Sequence, residues 1–311
     1  MILNRVVYKI LNQFRGCKVY FEPVGGNHGD TLIELGTRHI FNKYNIETTL
    51  DPKQAEAIII NGSGSVGVEL WSKNLGGLKH YAKKFNNLPL IMLPSSFYFQ
   101  NCYFPDIFDT RTAPSFIFTR EKYSYELIKY YDYSTDVSIH IGHDMAFELI
   151  NTNFFRGLKS RCSNRHILIV ERFDREAVTG SPRNIPISNR LKKHIPDSIK
   201  HSLKKIIHHQ RTSTTNYKNL ALNRLFELSK QWNNLPVVEE DISSPVGFTF
   251  DQFIDAIVNS AVVVTTRLHV AILAVLLDKP TFIQIKPSPY PKLKACYDHS
   301  LSHFNHVHLW D

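Results

Sequence analysis

The 311-residue sequence predicts an α/β protein of two domains, each built on a parallel sheet, with the strand ends of both facing one cleft. Three observations predict it. The length exceeds one ordinary α/β core, so two domains are expected, at residues 1–157 and 158–311. Short apolar runs alternate with longer segments of helical period in the first half, and a second such series begins at residue 165. Most of the apolar runs end in glycine-rich or polar turns, where open α/β sheets bind their ligands.

Residues 18–24 (KVYFEPV) read as a strand, followed by the turn GGNHGD and a helix through TLIELGTRHIFNKY. Leu32, Leu35, Ile40 and Phe41 give that helix an imperfect apolar face. Residues 57–60 (AIII) form a short buried strand ending at NGSGS. Residues 88–93 form the next, ended by Pro94, and residues 116–119 (FIFT) another. Arg120 begins the helix REKYSYELIKYY, and a strand over 138–141 closes the first series at GHD. The second series opens on the strand HILIVER, with helical patterns at 217–231 and 250–259. A β-branched strand over 261–265 leads at once into a helix over 267–277, and Asp278-Lys279-Pro280 turns the chain into the strand TFIQI. That run is a βαβ unit with a right-handed crossover.

The composition, 43% hydrophobic and 21% charged, is that of a globular protein and excludes a disordered chain. The net charge of +9 and pI near 9.2 favour an anionic partner. Much of that excess lies in residues 183–211, where eight basic residues face one acid, Asp197. Ile195, Ile199, Leu203, Ile206 and Ile207 recur there at helical spacing among Lys200, Lys204 and Lys205. Such a basic amphipathic helix suits an anionic membrane face; a solvated helix packed on its own domain accounts for it equally well. No nucleic-acid-binding module is visible, so nucleic acid is not an expected partner. Four dispersed cysteines, Cys17, Cys102, Cys162 and Cys296, form no CxxC pair and fit a reducing cytoplasm. No secretory leader and no bilayer-length apolar run is read, so the expected location is cytoplasmic, at most peripheral to the inner face of the membrane. His299, His303, His306 and His308 lack carboxylate or cysteine partners at ligand spacing. They read as surface or inter-domain packing, and no metal site is expected.

Three segments carry candidate chemistry. Gly25-Gly26-Asn27-His28-Gly29-Asp30 lies between a strand and a helix, where glycines admit a ligand and Asp30 is placed to cap the helix. A tight βα turn with an ordinary cap explains it as well. Gly62-Ser63-Gly64-Ser65-Val66-Gly67 spells G-x-G-x-x-G after a strand. A dinucleotide site needs an acidic residue about 20 positions on, at the end of the next strand. That strand ends Met92-Leu93-Pro94-Ser95-Ser96, without an acid, so the glycines are assigned to a ligand cleft and not to NAD. Thr265-Thr266-Arg267-Leu268-His269 joins a buried strand to its helix. Free N–H groups and the helix dipole favour an anion there, Arg267 adds a planar fork, and His269 can exchange protons near neutral pH. A packed or solvent-facing histidine remains the other reading of His269.

In order along the chain, these segments resemble the polysaccharide pyruvyl transferase family. Asn27-His28-Gly29-Asp30 resembles its N-x-G-D motif, and Gly62-Ser63-Gly64-Ser65 its glycine-rich loop. Leu93-Pro94-Ser95-Ser96 resembles L-P-Q-S with the glutamine lost. Arg120-Glu121 with Ser124 resembles R-(D/E)-x-x-S, His143 to Phe147 resembles D-x-A-F, and Arg267-Leu268-His269 resembles R-L-H. Residues 151–250 add almost nothing.

The resemblance implies two Rossmann-like domains facing one cleft, GT-B-like, and transfer of an enolpyruvyl group from phosphoenolpyruvate to sugar hydroxyls as a pyruvate ketal. Phosphoenolpyruvate is then a co-substrate and no cofactor is expected. His269 is the candidate general acid, and Asp30 orients or deprotonates the acceptor. Arg267 and Arg120, with Gly62, Ser63, Gly64 and Ser65, bind the donor; Asn27 and Asp144 bind the acceptor. The acceptor is a saccharide of an exopolysaccharide or capsule precursor, and a lipid-diphosphate carrier would place it at a membrane. The alternative is a GT-B glycosyltransferase using a nucleotide sugar, for which Glu239 and Glu240 are the nearest carboxylate pair. A third reading, a membrane-associated scaffold, leaves the N-x-G-D and R-L-H segments unexplained.

Overall fold

The computed structural model describes residues 4–65, 67–68, 72–99, 101–172, 215–245, 247–285 and 291–310. The basic segment 183–211 lies outside them. The chain divides into two compact units, Met1–Arg156 with Lys292–His303, and Gly157–Pro291 with Phe304–Asp311. The contiguous division expected at residue 157 therefore misses one segment: residues 292–303 pack with the first unit.

The first unit opens with helix α1 (Arg5–Asn12), which buries Val7, Ile10 and Leu11. Strand β1 (Lys18–Glu22), helix α2 (His28–Tyr44), strand β2 (Glu47–Thr49) and strand β3 (Ala57–Ile60) follow. Then come β4 (Gly67–Val68), α3 (Ser72–Lys84), β5 (Leu90–Ser95), β6 (Phe97–Tyr98), β7 (Ser115–Thr119), α4 (Lys122–Ile128) and β8 (Val137–Ile141). A 3-10 turn over Met145–Asn151 leads into α5 (Asn153–Ser160), within which the boundary between the units falls. Six strands form one parallel sheet in the order β2-β1-β3-β5-β7-β8, while β4 and β6 pair separately.

Strands β3 and β5 are buried at every residue, as parallel strands covered on both faces must be. Pro94 does not end β5. The strand continues to Ser95, with a shift of register against β7 between Met92 and Ser95, because proline has no N–H to give the ladder. The chain adds β2 on one side of β1 and β3 on the other. Strand order thus reverses between β1 and β3, and the loops leaving those two strands lie at the sheet's switch point.

The second unit contains β9 (His166–Val170), α6 (Thr215–Leu228), β10 (Val237–Glu239), α7 (Phe250–Val258), β11 (Ser260–Thr265), α8 (Leu268–Leu276), β12 (Thr281–Gln284) and β13 (Val307–Trp310). Helix α9 (Lys292–His299) belongs to the first unit. The second sheet is parallel throughout, in the order β10-β9-β11-β12-β13. Its strand order reverses between β9 and β11, so the loops after these strands occupy its switch point. Two parallel sheets with covering helices make two Rossmann-like units. Edge strands β10 and β13 are too short to show a period, and the sequence reading did not contain them. Among the described residues no helix is long and apolar enough to cross a membrane.

Candidate functional site

In the first unit, the loops leaving β1, β3, β5, β7 and β8 carry the motif residues. Asn27 is the N-cap of α2: its side-chain oxygen accepts from the Gly29 N–H at 2.7 Å. Asp30, at the third helical position, accepts the Asn27 N–H at 2.8 Å and closes a capping box. This corrects the placement of Asp30 as the cap itself. The box satisfies two amides that the start of a helix leaves open, so it accounts for the N-x-G-D spacing on its own.

The second loop follows β3. Ser63 N–H donates to the Ser95 hydroxyl at 3.1 Å, the Ser63 carbonyl accepts Ser96 N–H at 3.0 Å, and the Ser63 and Ser65 hydroxyls are 2.7 Å apart. Gly62 presses on the end of β5: a side chain there would put its first carbon 2.6 Å from the Pro94 carbonyl oxygen. Gly64 faces two cations. A carbon added to it would lie 2.7 Å from Arg120 Nη2 and 2.8 Å from Lys292 Nζ.

Arg120, after β7, is 1% exposed and held from two sides. Its Nε donates to the Ser96 hydroxyl at 2.8 Å and its Nη1 to Asp144 Oδ2 at 2.7 Å. Asp144 is 2% exposed, and its Oδ1 accepts the Ala146 N–H at 2.9 Å to cap the 3-10 turn. In these contacts Asp144 positions Arg120 and starts a turn. Glu121 caps α4 through the Ser124 N–H at 2.8 Å, and Ser124 in turn accepts the Phe97 N–H at 2.7 Å. Burial holds the Glu121 carboxyl above its ordinary range, against the opposing pull of Ser124 and Arg120.

In the second unit the R-L-H residues sit where β11 ends and α8 begins. Thr265 Oγ1 accepts the Arg267 N–H at 2.9 Å, and Thr266 Oγ1 accepts the Arg172 N–H at 2.7 Å, which ties the loops after β9 and β11 together. Arg267 does not hold its fork open for a substrate alone. Its Nε donates to Asp241 Oδ1 at 3.0 Å and its Nη2 to Asp241 Oδ2, and both residues are buried. Every residue of α8 is buried except His269, the second in the helix. An otherwise buried apolar helix thus carries one half-buried, proton-carrying side chain at its amino end.

Sequence reasoning missed two participants, Asp241 and Lys292. Asp241 carries a recognisable signal only as one acid within Glu239-Glu240-Asp241, and nothing in that run says that the third meets Arg267. Glu239 closes β10; burial raises its carboxyl, Lys218 at 3.8 Å opposes the rise, and the Glu171 charge adds to it. Lys292 has no local signal at all, since it arrives from the far end of the chain. The C-terminal histidines pack within their own units: His299 stacks on His143 with ring centroids 4.5 Å apart, and His308 lies over Phe282. Among the described residues no group of three or more His, Cys, Asp or Glu could hold a metal ion.

Residues 27–283 match the family model described as polysaccharide pyruvyl transferase. Among solved structures, the chain is similar to a functionally uncharacterised protein of Klebsiella pneumoniae subsp. pneumoniae NTUH-K2044, with 20% identity over 100% of both chains and a TM-score of 0.64. That likeness is one of fold. More distant similarities are to the UDP-GlcNAc 2-epimerase of Methanocaldococcus jannaschii, solved with UDP-GlcNAc and UDP, and to the E. coli heptosyltransferase WaaC, solved with ADP-2-deoxy-2-fluoro heptose. The first is 11% identical over 92% of this chain and 71% of that one, with a TM-score of 0.34. The second is 10% identical over 94% and 92%, with a TM-score of 0.33. Among curated proteins none matches.

Proposed function

Because the chain belongs to the polysaccharide pyruvyl transferase family, we propose that it transfers the enolpyruvyl group of phosphoenolpyruvate to two hydroxyls of one sugar, as a pyruvate ketal. The observation that supports this best is the family's N-x-G-D and glycine-rich segments standing at the first sheet's switch point, with buried Arg120 after β7, and Arg267-Leu268-His269 standing at the second sheet's. The saccharide belongs to an exopolysaccharide or capsule precursor. A lipid-diphosphate carrier, and peripheral contact with an anionic membrane through residues 183–211, are part of the same proposal.

The chemistry balances as follows. A proton added to the methylene carbon of the donor leaves its C2 as an oxocarbenium-like centre. One sugar hydroxyl forms a bond to C2 and loses its proton. The C2–O bond to phosphorus-bearing oxygen then breaks, orthophosphate departs, and a second hydroxyl closes the ketal with loss of its proton. One proton is gained by carbon and two leave oxygen, so one is released or taken by the phosphate. His269 is assigned the protonation at carbon, a role worth about 10²–10⁴-fold in rate. Arg120 and Arg267 bind anionic groups, each steered by its carboxylate, Asp144 or Asp241. Asp30 is assigned to the capping box and not to proton removal.

The test is donor consumption. The purified chain is given phosphoenolpyruvate, or a panel of nucleotide sugars, with saccharide acceptors. Acceptor-dependent release of orthophosphate from phosphoenolpyruvate supports the proposal; consumption of a nucleotide sugar alone replaces it with glycosyl transfer.

A further inference from the structure

We propose that the tyrosine-rich groove beside α4 and β8 is a saccharide-binding site, which holds an uncharged stretch of the acceptor chain away from the motif loops. The proposal rests on the reading of the chain as an enzyme that acts on a polysaccharide, and it adds a site that the motif residues do not include.

Seven of the chain's 14 tyrosines fall between residues 98 and 133. Among the described residues three tyrosines are exposed, Tyr103 at 52%, Tyr123 at 40% and Tyr130 at 79%, and all three belong to this stretch. A ring held in water forgoes the stabilisation that burial would give it, so a cluster of exposed rings marks a surface built for contact. Beside them an open groove of about 560 Å³ is lined by Tyr125, Tyr130, Tyr131 and Tyr133, and by Val137 and Ile139 of the edge strand β8. That volume is in the range of small-ligand sites. The rings are held in place. Tyr103 meets Tyr131 edge to face with centroids 5.3 Å apart, Tyr131 meets Tyr133 in the same way at 6.5 Å, and the Tyr133 hydroxyl donates to the Ile128 carbonyl at 2.8 Å. Rings set in advance lose little freedom when a ligand arrives.

Charge and shape select the occupant. A sugar ring presents C–H groups on its face and hydroxyls around its rim, and a tyrosine offers the matching apolar face and polar tip. Of the residues lining the groove the one charge is Lys129. Its Nζ lies over the Tyr125 and Tyr130 rings, 4.8 and 4.4 Å from their centroids, and Glu126 offsets it at 2.8 Å. In a chain of net charge +9, a groove whose single cation is neutralised suits an uncharged, polyhydroxylated ligand and not an anion. The face also continues toward the motif loops. Tyr123 stands in the first turn of α4, close enough to Tyr98 and Glu121 to interact with both, and Glu121 directly follows Arg120. From Tyr123 to Tyr130 the helical rise covers about 10 Å, room for about two sugar rings in line. A saccharide chain lying on these rings therefore points one end at the strand ends that carry the motifs.

Equilibrium titration of the full chain with linear β-1,4-linked hexasaccharides of glucose, mannose and galactose, and with the matching monosaccharides, tests this without phosphoenolpyruvate present. At least one hexasaccharide should bind, and more tightly than its monosaccharide. Tyr130→Ala and Tyr131→Ala should each weaken that binding about five- to tenfold, with thermal melting to establish folding. Tyr130→Phe keeps the ring and should keep most of the affinity. In turnover with phosphoenolpyruvate, Tyr130→Ala should raise KM for the hexasaccharide and leave kcat, and the turnover of a monosaccharide acceptor, unchanged. Tyr130-dependent binding with no consumption of phosphoenolpyruvate would sink the proposed reaction and leave the groove standing. Equal hexasaccharide affinity in wild type and in folded Tyr130→Ala overturns the groove, as does a wild-type chain that binds none of the hexasaccharides. So does a dimer in sedimentation that Tyr130→Ala separates, because a second copy of the chain then occupies this face.

Discussion

Arg267 lays the edge of its guanidinium along the carboxylate of Asp241, with Nε 3.0 Å from Oδ1 and Nη2 bonded to Oδ2; the side chains are 7% and 3% exposed. The pair joins the loop after β10 to the start of α8. Removing one partner of a buried pair leaves the other charge unpaired, at a cost of about 3–5 kcal/mol. Asp241→Ala should therefore lower the melting temperature strongly and reduce turnover of phosphoenolpyruvate in the fraction that remains folded. Denaturant unfolding and steady-state kinetics check both.

Arg267→Lys keeps the charge and loses the fork. Two parallel bonds to Asp241 become one, so both stability and kcat/KM should fall, the latter about tenfold or more. Wild-type turnover in this variant would remove Arg267 from the site.

Asp30→Asn distinguishes a helix cap from a base. An amide oxygen can still accept the Asn27 N–H, so stability should stay within about 1 kcal/mol of wild type. Most of kcat should survive. A loss of about 100-fold at saturating substrate, with the fold intact, would give Asp30 the proton-removing role that its cap alone does not require.

Much of this was legible in the sequence, for reasons visible in particular residues. The runs at 57–60 and 261–265 are apolar because parallel strands are covered on both faces, and the structure places β3 and β11 there. The glycine-rich and R-L-H turns marked loops at strand ends; that they stand at the switch points follows only from the strand order. What stayed hidden was non-local. The reach of Asp241 to Arg267 and of Lys292 to Gly64 depends on strand order and on the chain's return to the first unit, and neither leaves a period or a spacing. Asp30 was misplaced by one role because a capping box uses two residues, and the turn GGNHGD offers two side chains that can cap.

The stacked pair His143–His299 should make the protein sensitive to acid. His143 shares a hydrogen bond with Ser300 Oγ at 2.8 Å, and burial, with the His299 and His303 charges, lowers its pKa to about 4. His299, whose Nε2–H donates to the Gly142 carbonyl, is also shifted down, chiefly by burial. An unfolded histidine takes a proton near pH 6.5, and folded His143 takes one only near pH 4. Stability is thus whole above about pH 6.5, falls as the pH drops through that window, and levels off below about pH 4. Partial exposure of the ring limits the effect to about 1–3 kcal/mol. Melting temperatures measured between pH 7 and pH 4 should fall less steeply for His143→Phe than for wild type; parallel curves would take His143 out of the transition.

His269→Gln separates proton delivery from binding. Glutamine can hydrogen-bond but cannot pass a proton, so affinity for phosphoenolpyruvate should change only a few-fold while kcat falls about 100-fold or more. Collapse of binding with kcat retained at saturation would make His269 a positioning residue and move the acid elsewhere.

The most direct measurement follows the donor carbon itself. The chain is incubated with phosphoenolpyruvate labelled with carbon-13 at C2 and with a saccharide acceptor, and the product is read by NMR and mass spectrometry. The account requires the label to become a quaternary ketal carbon bonded to two oxygens of one sugar, with one orthophosphate released per pyruvate transferred. A label that keeps its double bond in an enol ether, or that stays in unconsumed donor while a nucleotide sugar disappears, would contradict it.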